Sequence, residues 1–293
     1  MKLFNILILT GLVVSTISHQ PISGNITKSF TLDSLGACQG ISFQNGRYFL
    51  YGDREIGVMR EYLLKNDSLV YQQNEYRFTI KGENVIKHPT GLAIRKGMPT
   101  LIGNSVRQNA EGTVWKAMIY SINWEGFLKR KTLDGNLLKT IEDDACIQGT
   151  RPEYVKHDGK WFMATADYGN KANEVRFYDA AKLVKADKTS EKGLLYKKFT
   201  CSPWVQNLHF IEDKGILVLI QNQVEGRKWR LTFLDLDKSL SSGHEEVIKV
   251  IDTDKADELE GFTLTDKTSK GIAVSSSRKN NVSLLNINWS KEQ

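Results

Sequence analysis

The chain of 293 residues is poor in the residues that usually announce a function. It has three cysteines, five histidines and five prolines. Cys38, Cys146 and Cys201 are too few, and odd in number, for a disulfide framework. They leave two options, one bridge with a spare thiol or three buried thiols. The histidines stand apart, with no His-x-x-x-His or His-Glu-x-x-His spacing, which argues against a zinc site of that kind. A nucleophile elbow and a glycine-rich phosphate loop are both missing. Although 40 basic residues against 34 acidic ones give a formal charge of +6, the basic residues are scattered. Their densest run, Lys129-Arg130-Lys131, reads as a solvated face, so no nucleic-acid partner is expected. Beyond Val14 no apolar run approaches membrane-spanning length, and the helical period of 3.6 is not seen.

At the N-terminus, Met1-Lys2, the apolar run Leu3 to Val14 and the small residues Thr16-Ile17-Ser18 follow the layout of a secretory signal peptide. Residues 1–20 are therefore expected to direct export, to a secreted or periplasmic location, without a mature membrane anchor. Residues 21–293 form the remaining domain. Four Asn-x-Ser/Thr triplets (Asn25, Asn66, Asn281, Asn288) identify no host.

What the chain does contain is a repeated hairpin. "QGISFQNGRYFLYGD" aligns with "TGLAIRKGMPTLIGN", "EYVKHDGKWFMATAD", "NLHFIEDKGILVLIQ" and "EGFTLTDKTSKGIAVSSS". Asn-Gly and Asp-Gly favour tight turns because they tolerate positive φ. Gly40, Gly91, Tyr154, Leu208 and Gly261 occupy equivalent positions, spaced by 51, 63, 54 and 53 residues. Thirteen residues beyond the first four stand Asp53, Asn104, Asp167 and Gln221, and Ser276 takes the place in the slightly longer fifth hairpin. A third strand follows each hairpin, and fourth strands are expected at "VYQQNEYRFTI", "GFLKRKTLDG", "LLYKKFTCS" and "EEVIKVIDT". The fifth unit lacks one, while "ITKSFTLDS" is left over before the first. The pattern predicts an all-β, five-bladed β-propeller closed by the N-terminal strand joining the last blade. A pair of β-sandwiches explains the short strands but neither the constant offset nor the split unit.

In such a propeller the start of each first strand and the end of each second strand emerge on one face. That collects an inner ring of Gln39, Thr90, Glu153, Asn207 and Glu260, and a neighbouring ring of Asp53, Asn104, Asp167, Gln221 and Ser276. Arg54, His88, Arg151 and Arg278 flank them. Such groups must be satisfied by one another, water, a metal or a ligand. Asp53, Glu153, Asp167 and Glu260 are the candidate catalytic carboxylates, able in pairs to run glycoside hydrolysis. The arginines could clamp an acidic substituent, and His88 could serve as base or ligand. Glu153, Asn207 and Glu260 offer oxygen ligands suited to Ca²⁺. His209 should lie deeper toward the axis, His157 in an exposed turn, and Trp204 either against a sugar or between blades.

"CQGISFQNGRYFLYGDREIGVMREYLL" resembles the opening blade of secreted glutamine cyclotransferases, through Gln39, Gly40 and the hairpin shape. "LEGFTL" with "VQNLHF" is similar to strands by which gluconolactonase-like propellers hold a divalent cation, which implies Glu260 and Asn207 as ligands with Glu153 as a third. The expectation is an exported propeller that binds, and as an enzyme would hydrolyse, a small polar molecule such as a sugar or lactone, with Ca²⁺ assistance. The alternatives are a non-enzymatic module binding protein or glycan, and a glutaminyl cyclase-like enzyme.

Overall fold

A computed structural model describes residues 22–170, 173–222, 228–265 and 269–289. The expected export segment, 1–20, lies outside the described residues. Among these, the strands form five four-stranded antiparallel sheets and a two-stranded ribbon, Thr79–Ile80 with Glu83–Asn84. Blade one is Cys38–Gln44, Arg47–Asp53, Gly57–Lys65 and Ser68–Arg77. Blade two is Pro89–Ala93, Thr100–Arg107, Trp115–Ile122 and Leu137–Glu142. Blade three is Glu153–His157, Lys160–Ala166, Glu174–Tyr178 and Leu195–Thr200. Blade four is Val205–Ile211, Ile216–Asn222, Trp229–Asp235 and Val247–Asp252. Blade five is Leu259–Leu264, Lys270–Ser275 and Val282–Asn288, completed by the N-terminal strand Ser23–Phe30.

The first strands touch in a closed ring, each against the first strands of the blades on either side. The molecule is the expected five-bladed propeller, closed by Ser23 opposite Asn288 and Phe30 opposite Val282. Alternation along the second strands explains the packing. Leu50 faces Ile272 and Val274 of blade five, while Phe49 and Tyr51 face Leu92 and Ile102 of blade two. The same division recurs around the ring, so each interface is a sheet-on-sheet core. Burying one of its large side chains is worth about 1.5–3 kcal/mol.

Two expectations need correction. "GFLKRKTLDG" is not a strand: Trp124–Arg130 is a helix, capped by Asn123 through Gly126 N, and the fourth strand follows at Leu137. Blades three and four carry helices in the same place, Ala180–Leu183 capped by Asp179 and Leu236–Ser242 capped by Asp235. An Asn or Asp closing the third strand supplies the cap that starts each helix. His157 is not exposed either. It is buried, and its Nδ1 lies 2.7 Å from Oδ1 of Asp237 in the Leu236–Ser242 helix, fastening the turn of blade three to blade four.

Candidate functional site

The face where the first strands begin was expected to hold the site. The pairing register shows what its two polar rings do. Gln39, Thr90, Gln206 and Glu260 are extra residues at β-bulges, each just inside the first ladder pair of its blade. In blade three Thr150 pairs with Asp167, which puts Arg151 in the corresponding place. The true inner ring is therefore Gln39, Thr90, Arg151, Gln206 and Glu260. Asn207 lies one step further in and Glu153 deeper still.

The second ring is a set of fasteners. Asp53 Oδ1 accepts from Ala37 N at 3.1 Å, Asn104 Oδ1 from His88 N at 3.0 Å, and Asp167 Oδ1 from Gln148 N at 2.8 Å. Gln221 Nε2 donates to Ser202 O and Pro203 O at 3.2 and 2.9 Å. In blade five the ladder partner of Leu259 is Ser275 rather than Ser276, whose backbone N donates to Glu258 O at 3.0 Å. Each of these contacts ties down the segment entering its blade, where turning chain would leave backbone groups unpaired.

The inner side chains latch neighbouring blades. Thr90 Oγ1 donates to Thr150 O at 2.6 Å, Arg151 Nε to Gln206 O at 3.2 Å, and Asn207 Nδ2 to Glu260 O at 3.2 Å. Asn207 Nδ2 also donates to Tyr51 Oη at 3.0 Å. Because Tyr51 belongs to blade one, this phenol crosses the axis and plugs it. It lies over Gly40, where a Cβ would come within 2.2 Å of its oxygen, so only glycine fits there. Of the flanking residues, Arg54 pairs with Glu75 at 3.1 Å, His88 Nδ1 lies 3.1 Å from Asp53 Oδ2, and Arg278 is exposed. Trp204 packs edge-on against Tyr168.

The three residues expected to hold calcium, Glu153, Asn207 and Glu260, do not line one cavity together. Asn207 turns its amide nitrogen to the axis and spends its oxygen on Leu208 N at 3.0 Å, while Glu153 alone of the three lines the cavity described next. Among the described residues no three His, Cys, Asp or Glu side chains gather to hold a metal ion. The cysteines are free thiols, Cys38 and Cys146 buried. Burial pushes Cys38 and Cys201 up to about 12, leaving them un-ionised and unreactive.

The concavity lies on the other side of the Tyr51 plug, opening where the hairpins turn. It has a volume of about 390 Å³ and takes its lining from all five blades. The positions equivalent in register are Ser42, Ala93, Glu153, His209 and Thr263, one per blade, and all but the fully buried Ala93 line the cavity floor. Three of these have small side chains, and Ser42 Oγ and Thr263 Oγ1 donate to the carbonyls of Leu92 and Leu264. Glu153 and His209 break the symmetry.

Glu153 Oε1 accepts from Tyr154 N at 2.7 Å, and among the described residues its other oxygen takes part in no hydrogen bond. Burial pushes this carboxyl up to about 8, with the Tyr154 amide and Arg95 pulling weakly the other way. His209 Nε2 accepts from Leu264 N at 3.3 Å, which places the ring proton on Nδ1. Burial lowers its pKa to about 4, so it is neutral. Burial thus favours the uncharged form of both floor groups, the acid of Glu153 and the imidazole of His209.

The wall is aromatic and ionic. Trp161 meets Phe210 edge-on at 6.2 Å, and the Arg95 guanidinium sits 3.1 Å above the Trp161 ring. Arg95 also pairs with Glu212 at 3.2 Å, and Lys156 stands 3.7 Å from the same carboxylate. Arg95, Trp161 and Glu212 were not foreseen. The Asp-Gly turn preceding Lys160-Trp161 was a usable signal, since a tryptophan just past a hairpin turn sits at the mouth of that face.

No protein-family model matches the chain, and no curated protein matches it in sequence.

Proposed function

We propose that this protein binds a small polar ligand of sugar size in the axial cavity on the hairpin-turn face. The observation that carries the reading is the pairing of an uncharged polar floor, Glu153 and His209, with an aromatic wall of Trp161, Phe210 and Phe43 in a cavity of about 390 Å³. That combination suits a ring that presents hydroxyl groups at its edge and C–H groups on its face. The protonated Glu153 could also act as a general acid on such a ligand. The second carboxylate of a glycosidase pair is not on the floor, because Glu212 lies at the mouth and is held by Arg95 and Lys156. Binding is therefore the primary activity in this reading, and hydrolysis of a sugar or lactone would need a water-activating group from the mouth. Export rests on residues 1–20 and is tested by sequencing the mature N-terminus.

The interaction-module reading has less support. The exposed large apolar side chains, among them Tyr71, Leu138, Tyr196 and Val247, are spread over the outer strands of four blades rather than gathered in a patch. The test is calorimetry with a panel of monosaccharides and aldonolactones. One or more should bind, and Trp161→Ala should weaken that binding by at least about tenfold, or 1.4 kcal/mol. Binding that survives Trp161→Ala unchanged would remove the site from this cavity.

A further inference from the structure

The charges around the cavity narrow the ligand further, given the reading above. Three carboxyl groups line it, Glu153 on the floor and Glu212 and Asp213 at the mouth, against Arg95 in the described lining and Lys156 beside Glu212. Arg95 is already neutralised by Glu212. A ligand carboxylate would meet the carboxylates of the mouth and an Arg95 already paired with Glu212, whereas a neutral ligand would leave Glu153 as the buried acid it is without a ligand. A cation would find a counter-ion there, together with aromatic faces.

The molecule displays that preference within itself. Arg95 lies flat on Trp161 with Glu212 beside it, a cation held between an aromatic face and a carboxylate. Phe43 and Phe210 line the same cavity. Glu153 faces the same space with an oxygen that takes part in no hydrogen bond among the described residues.

We propose that the ligand carries a protonated amine, as an amino sugar does, and that the ammonium group docks on Glu153 within the aromatic wall. The groups that share the cavity or axis with Glu153 are Arg95 from blade two, whose guanidinium is paired with Glu212, the neutral His209 from blade four and the Tyr51 phenol. Docking an ammonium there converts the carboxylic acid to a carboxylate. One proton leaves to solvent, and the ligand keeps its own.

The experiment is calorimetry at pH 6 with glucosamine, glucose and N-acetylglucosamine as probes, each in two buffers of different ionisation enthalpy. Glucosamine should bind at least about tenfold more tightly than the other two, a difference of 1.4 kcal/mol. It should also release up to one proton per molecule bound, which the uncharged probes should not do. Glu153→Gln keeps the acceptor for Tyr154 N and should abolish both the preference and the proton release. Equal affinity for glucosamine and glucose would overturn the amine proposal and leave the cavity reading standing. Failure of glucosamine to bind at millimolar concentration would overturn it too, and failure of all sugars and lactones would remove the cavity reading with it. The proton release is measured on the unaltered protein, so the test does not depend on the variant folding.

Discussion

The two mouths of the axis use polar residues in opposite ways. Where the first strands begin, nearly every blade contributes a polar side chain and most are spent within the protein: Asp53, Asn104 and Asp167 hold incoming backbone, and Thr90, Arg151 and Asn207 reach the next blade. Where the hairpins turn, small residues fill three of the five equivalent positions, and two blades depart from them with Glu153 and His209. In a ring of repeats, a polar residue recurring in every unit answers a problem that every unit shares, namely unpaired backbone. A polar residue in one unit answers a need the scaffold does not have. Repetition marks the frame, and the exception is where we propose the site.

Four substitutions sharpen that contrast. The largest effect is expected at the plug: Asn207→Leu strips Tyr51 and the Glu260 carbonyl of their donor and should destabilise the fold by about 3 kcal/mol in denaturant titration. Binding measured below the unfolding transition should stay unchanged.

The next effect is at Glu153 and depends on pH. Its carboxyl lies near 8 rather than at the ordinary 4.5, so the unfolded chain loses this proton first as pH rises. Stability from this group falls between those values, and Glu153→Gln should stabilise the protein by on the order of 2 kcal/mol at pH 9 but not at pH 4. His209 has the opposite slope. Its pKa near 4 lies below the ordinary 6.5, so stability falls as pH drops through that interval, and His209→Asn should flatten the acid limb of the melting curve.

The smallest effect is expected from Asp53→Asn, which retains an acceptor for Ala37 N. It should cost about 0.5 kcal/mol and leave affinity within twofold. A loss of affinity greater than that from Trp161→Ala would reverse the assignment of the two mouths.

The architecture was legible because the hairpin turns announce themselves. Asn45-Gly46 and Asp158-Gly159 both adopt the positive φ that their sequence suggests. The unpaired N-terminal strand likewise revealed the closure of the ring. Register was not legible, because a β-bulge adds a residue without any sequence mark and blade three does without one before Glu153. That shift puts Arg151 where Glu153 was expected and Gln206 where Asn207 was expected in the inner ring. The helices were hidden because a third strand ending in Asn123, Asp179 or Asp235 looks the same until its cap is formed. His209 was correctly expected deeper on the axis, since strand alternation alone places it there.

The most direct test is the response of the tryptophan indole N–H signals to glucosamine or to whichever sugar binds best. Trp161 lies in the hairpin-side cavity, and Trp204 packs near the strand-start mouth. The account predicts that the Trp161 signal shifts with saturating dependence on ligand while that of Trp204 stays in place. A saturating shift of Trp204 with Trp161 unmoved would contradict it.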